Sequence, residues 1–161
     1  MTAELMQKDP CPPPSAEKPR EECPHCASGP ETYGYLKRQW VYDVDRARKL
    51  VADGRESVEL DPDDVAYCVD NSRIYKRHLD HVDPQYPGII AHLWGPGEGG
   101  TWEHGHVLID GNHRAARCLR DGLPFSVYLL SEDESELILK RGVRRDGKLR
   151  GSQKKIRVRK K

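Results

Sequence analysis

The sequence has 161 residues, of which 36% are hydrophobic and 33% charged, and its mean hydropathy is −0.82. This length suits one small domain with tails, and packed domains are usually about 45–50% apolar, so part of the chain is expected to lie outside a core. No run approaches the ~18 apolar residues of a membrane span, and the N-terminus lacks the apolar segment of a signal peptide. We therefore expect a cytoplasmic protein that does not associate with membranes.

Charge is distributed unevenly along the chain. Residues 140–161 carry twelve Lys or Arg and one acid, a net charge of +11, whereas the rest carries 15 basic and 25 acidic residues, a net charge of −10. Low apolar content predicts a basic flexible tail there, and the Pro-rich residues 1–32 predict a second flexible tail. The basic tail either stays solvated or attracts nucleic-acid phosphates or an acidic protein. The expected organisation is one domain over residues 33–139 between two disordered tails.

The five cysteines do not indicate a disulfide framework, because their number is odd and no signal peptide is evident. Cys23 and Cys26 form a CxxC pair around His25, which could supply half of a tetrahedral zinc site. The sequence has no second such pair, so zinc binding, redox chemistry and an unliganded tail remain open. Cys118 is predicted to be a small buried residue inside a helix.

The middle of the chain predicts an α+β domain. A helix is expected from Asp43, a suitable N-cap, to Gly54, and a short strand over Ser57–Leu60 follows. Asp61 and Pro62 then predict the start of a second helix. The elements expected after it are a helix capped by Asn71 and Ser72, strands over Gly88–Trp94 and Gly105–Asp110, a helix over Asn112–Asp121, a strand over Pro124–Leu130, and a helix through Leu139 that begins with a capping box at Ser131.

The turn from Asp110 to Arg114 is the candidate site. An apolar strand runs directly into a helix there, and Gly111 permits a sharp backbone turn close to a ligand. Amides at a helix N-terminus favour anions, and Arg114 adds a planar cation that suits phosphate or carboxylate. His113 can donate, accept or change charge near neutral pH. The alternative is that Asp110 only caps the helix while His113 and Arg114 face solvent.

The segment IDGNHRAARCLRDGLPFSVYLL resembles the ParB/sulfiredoxin superfamily. In that superfamily a G-E-R-R box (ParB proteins), G-C-H-R (sulfiredoxins) or D-G-H-H-R (ParB-like free serine kinases) joins a strand to a helix, and Asp110–Arg114 is most similar to the kinase form. The order of elements from Ser57 to Leu130 is similar as well. The resemblance implies a small mixed β-sheet with flanking helices. Asn112 stands where sulfiredoxins have their active-site cysteine, which argues against sulfinic-acid repair.

By this resemblance, Gly111, Asn112, His113 and Arg114 bind the phosphates of a nucleoside triphosphate with Mg²⁺, and His113 and Asp110 are the candidate catalytic residues. His113 would position phosphate or move a proton, and Asp110 would orient His113 or hold Mg²⁺. The predicted function is a nucleotide- or phosphate-binding domain and, if it is an enzyme, a phosphotransferase or nucleotide hydrolase. The alternative is a non-catalytic module that binds DNA, RNA or protein through residues 140–161.

Other residues are weaker candidates. The free serine kinases use an upstream glutamate as base, and the sequence does not place its equivalent; Asp70, Asp80 and Asp83 are the nearest choices. His104 and His106 share one face of a predicted strand, and with His92 and Asp110 they could form a metal site of histidine and carboxylate type. We favour ordinary histidines and predict no dedicated metal site. The glycine-rich Gly95–Gly100 is expected to be a hairpin connection, with a lid over the ligand as the alternative.

Overall fold

The computed structural model describes residues 31–74, 76–96 and 102–151. They contain eight β-strands and four α-helices, which confirms the α+β prediction. Within these residues, none of the helices is long and apolar enough to cross a bilayer. The chain divides into two compact units. Among the described residues, unit one comprises Ser57–Gly88 and Gly111–Val127, and unit two comprises Pro30–Glu56, Ile89–Asp110 and the chain from Tyr128 onward.

Unit one is mainly helical. Its elements are β3 (Val58–Glu59), α2 (Pro62–Asp70), a 3₁₀ helix (Lys76–His81), α3 (Asn112–Asp121) and the first half of β6 (Ser126–Leu129). The short β3 pairs with β6 in antiparallel register, while α2 and the 3₁₀ helix pack against α3. The buried apolar side chains of this unit are Val65, Leu79, Ala115, Ala116, Cys118, Phe125 and Val127.

Local signals set the ends of the helices in unit one. The Asp61 carboxylate accepts from the Asp63 amide, and Pro62 occupies the first turn of α2, where its missing N–H costs nothing. Helix α3 ends at Gly122, which adopts a left-handed conformation that suits glycine at a helix C-terminus. The predicted bounds of α3 and the predicted burial of Cys118 are both confirmed.

Unit two is built on an antiparallel sheet. Its elements are β1 (Thr32–Tyr35), β2 (Trp40–Asp43), α1 (Val44–Val51), β4 (Gly88–Pro96), β5 (Trp102–Asp110), α4 (Glu132–Leu137), β7 (Leu139–Val143) and β8 (Leu149–Arg150). The strands follow the order β1-β2-β7-β4, with β5 paired to the free edge of β4 and β8 paired to β7. The predicted antiparallel pairing of β4 with β5 is confirmed.

The core of unit two forms between this sheet and α1. Trp40 and Tyr42 are its largest members, and Ile89, Ala91, Ile109, Leu130, Ile138 and Leu139 pack with them. The Trp40 indole N–H donates to the Trp94 carbonyl at 2.9 Å, so the buried ring leaves no polar group unpaired. Gly142 lies under this ring, because a Cβ there would stand 2.5 Å from Trp40 Cδ1.

The prediction that a flexible tail begins at residue 140 is wrong over its first eleven residues. Strands β7 and β8 cover Leu139–Val143 and Leu149–Arg150, and Leu139, Gly142 and Val143 are buried. A high local charge did not prevent strand formation here, because the strand needs only a few apolar positions facing the core. The rest of that prediction, and the predicted tail before residue 31, lie outside the described residues.

Three further expectations differ from the structure. Helix α4 begins at the predicted capping box, but it ends at Leu137 and the chain continues as β7. The helix expected after Asn71 and Ser72 is a 3₁₀ helix over Lys76–His81. Gly95 and Pro96, predicted as loop, still belong to β4 and pair with Glu103 and Trp102, while residues 97–101, where a lid was the alternative, lie outside the described residues.

Candidate functional site

The first turn of α3 carries the predicted phosphate box in unit one. Gly111 has φ +101° and ψ 16° and is the N-cap of α3, without a side-chain capping bond. A side chain at this position would be strained by the positive φ and would also place its Cβ 2.8 Å from the Gly88 Cα. The tight turn therefore requires glycine, as the sequence indicated.

Arg114 lies beside this turn. Its Nη2 atom is 3.2 Å from the position that a Cβ on Gly111 would occupy, so the guanidinium lies next to the backbone that opens the helix. The macrodipole of a ten-residue helix places partial positive charge at the same end, and α3 has no acidic residue in its first turn. The side chain and the helix therefore favour an anion at the same place.

Asn112 and His113 complete the first turn and are both half-buried. Asn112 Oδ1 lies 2.7 Å from the Ser72 hydroxyl oxygen, and the same hydroxyl oxygen lies 2.6 Å from the Cys68 carbonyl oxygen at the end of α2. This contact fixes the Asn112 side chain against the neighbouring helix. Sequence reasoning missed Ser72 as a positioning residue, since 40 residues separate it from Asn112.

Asp110, the last residue of β5, belongs to unit two and lies against α1. Its two carboxylate oxygens accept from Arg48 Nε and Nη2 at 3.0 and 2.9 Å, and its side chain is only 8% exposed. Arg48 also contacts Glu31 at 2.8 Å. Hydrogen bonds to Asp110 are the main reason that the pKa of Arg48 lies above its usual value. No local sequence signal points to this partner, because it is 62 residues away along the chain.

The other carboxylates considered as bases take part in local contacts. Asp80 Oδ1 accepts from Arg120 Nη2 at 3.2 Å, and Asp83 Oδ1 accepts from the Gln85 amide at 2.9 Å. Asp70 is exposed at the end of α2. Neither these two contacts nor the exposure of Asp70 identifies a catalytic base among the described residues.

The histidines of β4 and β5 come together in unit two. His92 pairs with His106 across the two strands, and His104 lies two residues before His106. One ring nitrogen from each of the three residues lies within 4.8 Å of the others, and His92 Nδ1 is 2.7 Å from His104 Nε2. We call these three residues the histidine triad. The pKa of His92 is lowered first by burial and then by the charges of His106 and His104.

Basic residues of β8 and of the turn between β7 and β8 contact other groups of unit two. Arg145 contacts Asp133 at 2.6 Å, and Arg144 lies 3.7 Å from Glu136. Arg150 donates to the carbonyls of Glu136 and Leu139. Their acidic partners lower the net charge of this surface, so the described part of residues 140–161 is less cationic than its composition indicates.

Among the predicted cysteine sites, Cys11, Cys23 and Cys26 lie outside the described residues. Cys68 is half-buried and Cys118 is buried, and both are free thiols. Burial is the main cause that raises the pKa of both thiols, which makes them poor nucleophiles at neutral pH.

No family model matches the chain, and no curated protein or solved structure matches it either.

Proposed function

We propose that the chain binds the phosphate groups of a nucleotide or of a phosphorylated small molecule at the first turn of α3. The observation that carries this proposal is the position of the Arg114 guanidinium beside Gly111, at a helix start that has no side-chain cap. An acidic or hydroxyl cap would compete with an anion for the first amides. Glycine at this position supplies no such competitor and lets a ligand approach the backbone closely.

The chemistry of the neighbouring side chains supports the same ligand class. Arg114 offers a planar cation for phosphate oxygens, and the half-buried His113 offers a ring nitrogen in the same turn. Asn112, held by Ser72, contributes a short polar side chain. The resemblance of this box to the ParB/sulfiredoxin superfamily favours a nucleoside triphosphate, with Mg²⁺ arriving on its phosphates.

For turnover, we assign proton transfer or phosphate positioning to His113. Asp110 receives a structural role in the proposal, because both of its oxygens accept from Arg48. A reaction at this site would be phosphoryl transfer or nucleotide hydrolysis, in which a fixed cation stabilises the charge that develops on the phosphoryl oxygens.

The proposal is tested by calorimetric titration of the full chain with ATP, CTP, ADP and pyrophosphate, each with Mg²⁺. Arg114→Gln should weaken binding about 10- to 100-fold, since a charge-assisted hydrogen bond contributes about 1.5–3 kcal/mol. Arg46→Gln is the matched control, because Arg46 is an exposed arginine of α1 in unit two and its replacement removes the same charge. Equal losses in the two variants would mean that binding depends on net charge alone, and the proposal would fail.

The alternative, an interaction module that uses the basic C-terminus, predicts the opposite pattern. In that case binding to a mixed-sequence DNA or RNA duplex would survive Arg114→Gln and disappear when residues 152–161 are removed. The truncation starts at residue 152, because β8 and its contacts end before it. The first hypothesis is favoured because Arg144, Arg145 and Arg150 contact acidic and carbonyl groups of unit two.

A further inference from the structure

We propose that the histidine triad of His92, His104 and His106 binds one divalent transition-metal ion of the zinc class through three imidazoles. This proposal is independent of phosphate binding at α3. It rests on the placement of three imidazole side chains on one face of the β4–β5 hairpin, where the antiparallel register sets His92 directly opposite His106.

The distances suit such an ion. Zinc binds histidine nitrogen at about 2.0–2.1 Å in tetrahedral geometry, so two imidazole nitrogens on one ion are about 3.3 Å apart. One ring nitrogen of each member already lies within 4.8 Å of the other two, and the shortest separation, between His92 Nδ1 and His104 Nε2, is 2.7 Å. Small rotations of the side chains therefore produce the required triangle. Imidazole ligands also suit copper, nickel and cobalt.

The backbone that carries His92 is fixed by buried side chains. The Tyr42 hydroxyl donates to the His92 carbonyl at 2.9 Å, and the His92 amide donates to the Ser135 hydroxyl at 2.8 Å. Tyr42 and Ser135 are both fully buried. A ligand held on both backbone groups loses little conformational freedom when a metal binds, which is the preorganisation that a metal site requires.

The solvent exposure of the histidine triad also favours metal binding. His104 and His106 are exposed and His92 is half-buried, so an ion can enter and keep a water molecule as its fourth ligand. Glu132 of α4 acts electrostatically on His92, and its negative charge favours a cation nearby.

Trp94 lies close enough to the histidine triad for its fluorescence to report metal binding. The Trp94 ring is 3% exposed, and it stacks at 6.0 Å from the His92 ring and 5.7 Å from the His104 ring. A paramagnetic ion on the triad would therefore quench the fluorescence of Trp94 at short range. Trp94→Phe should remove most of that quenching without removing a ligand.

The test is a titration of the full chain with Co²⁺ and Zn²⁺, followed by visible absorption, fluorescence and calorimetry. We expect one equivalent of Co²⁺ with the intense d–d bands of four-coordinate cobalt and no thiolate charge-transfer band. His104→Gln and His106→Gln should each weaken binding about 100-fold or more, since even the loss of an outer-shell partner costs about 10- to 100-fold. Both residues are exposed, so thermal unfolding should show that the variants remain folded.

Two controls separate this site from others. His113→Gln, a histidine of α3, should leave Co²⁺ binding unchanged, whereas it should weaken phosphate binding if the proposed function is right. The variant with Cys23→Ser and Cys26→Ser should also bind Co²⁺ normally. The proposal is overturned if the triad variants bind Co²⁺ as tightly as the natural chain, or if binding disappears with the two cysteines and shows a thiolate band.

Discussion

Replacing Arg48 by methionine tests whether Asp110 is a structural or a functional carboxylate. Arg48→Met replaces the aliphatic stem of the arginine with an unbranched apolar side chain and removes both hydrogen bonds to Asp110, at 3.0 and 2.9 Å. The Asp110 carboxylate is 8% exposed, so it would lose this two-pronged cationic contact in a place that water reaches poorly. Removing the cation from a buried carboxylate is the costly way to break such a pair.

The magnitude follows from the unequal exposure of the pair. Removing one partner of a fully buried pair costs about 3–5 kcal/mol, whereas an exposed pair is worth about 0–1 kcal/mol. Arg48 is 45% exposed, so solvent screens its side of the interaction. We therefore expect Arg48→Met to lower the free energy of unfolding by about 2 kcal/mol, which is about 4–8 °C in Tm for a chain of this size.

Urea and thermal unfolding, followed by circular dichroism, measure this loss. Glu31→Gln is the matched control, because Glu31 also contacts Arg48 at 2.8 Å but is itself half exposed, and its removal should cost at most about 0.5 kcal/mol. Adding Asp110→Asn to Arg48→Met should restore part of the lost stability, since the buried negative charge is then removed together with the cation that faced it. If Arg48→Met costs no more than Glu31→Gln, the structural assignment of Asp110 is refuted.

Three further predictions concern single hydrogen-bonded or strained positions. Ser135→Ala should cost about 1–3 kcal/mol in urea unfolding, because it removes the fully buried hydroxyl that accepts from the His92 amide; an unchanged midpoint would contradict this. Arg55 holds the pKa of Glu134 below its usual value, so this carboxylate stabilises the fold fully above the unfolded pKa of about 4.3 and less as pH falls through the lower folded pKa. Glu134→Gln should therefore flatten the acid limb of a profile of unfolding free energy against pH. An unaltered acid limb would contradict the stabilising role of the Arg55–Glu134 ion pair. Gly111→Ala should lower Tm by several degrees through its positive φ and the 2.8 Å approach to a neighbouring backbone carbon, and a rise in Tm would exclude the turn as described.

The first turn of α3 was predictable from sequence because its signals are local. Gly111 and Gly122 mark the two ends of one helix, and each acts through its own backbone conformation. The placement of Arg114 beside Gly111 follows from their separation of three residues in that turn. The Arg48 contact with Asp110 was not predictable in the same way, since it needs α1 and β5 to meet through the sheet of unit two.

The histidine triad was also predictable from sequence only in part. Alternation along β5 placed His104 and His106 on one face, but only the register of β4 against β5 sets His92 opposite His106 rather than one residue away. A shift of one residue would have turned His92 to the other face. The His92 amide donates to the Ser135 hydroxyl, which belongs to α4 and lies 43 residues later in the chain.

By itself, the sequence determined the α+β class, the helix caps at Asp43, Asp61 and Ser131, and the glycine turn at α3. Those features depend on hydrogen bonds and dihedral angles within a few residues. Tertiary structure alone decided that the basic segment after residue 139 enters the sheet as β7 and β8, and that Arg48 binds Asp110. The physical reason is that strand pairing and buried ion pairs join residues far apart in the chain, whose partners no local pattern specifies.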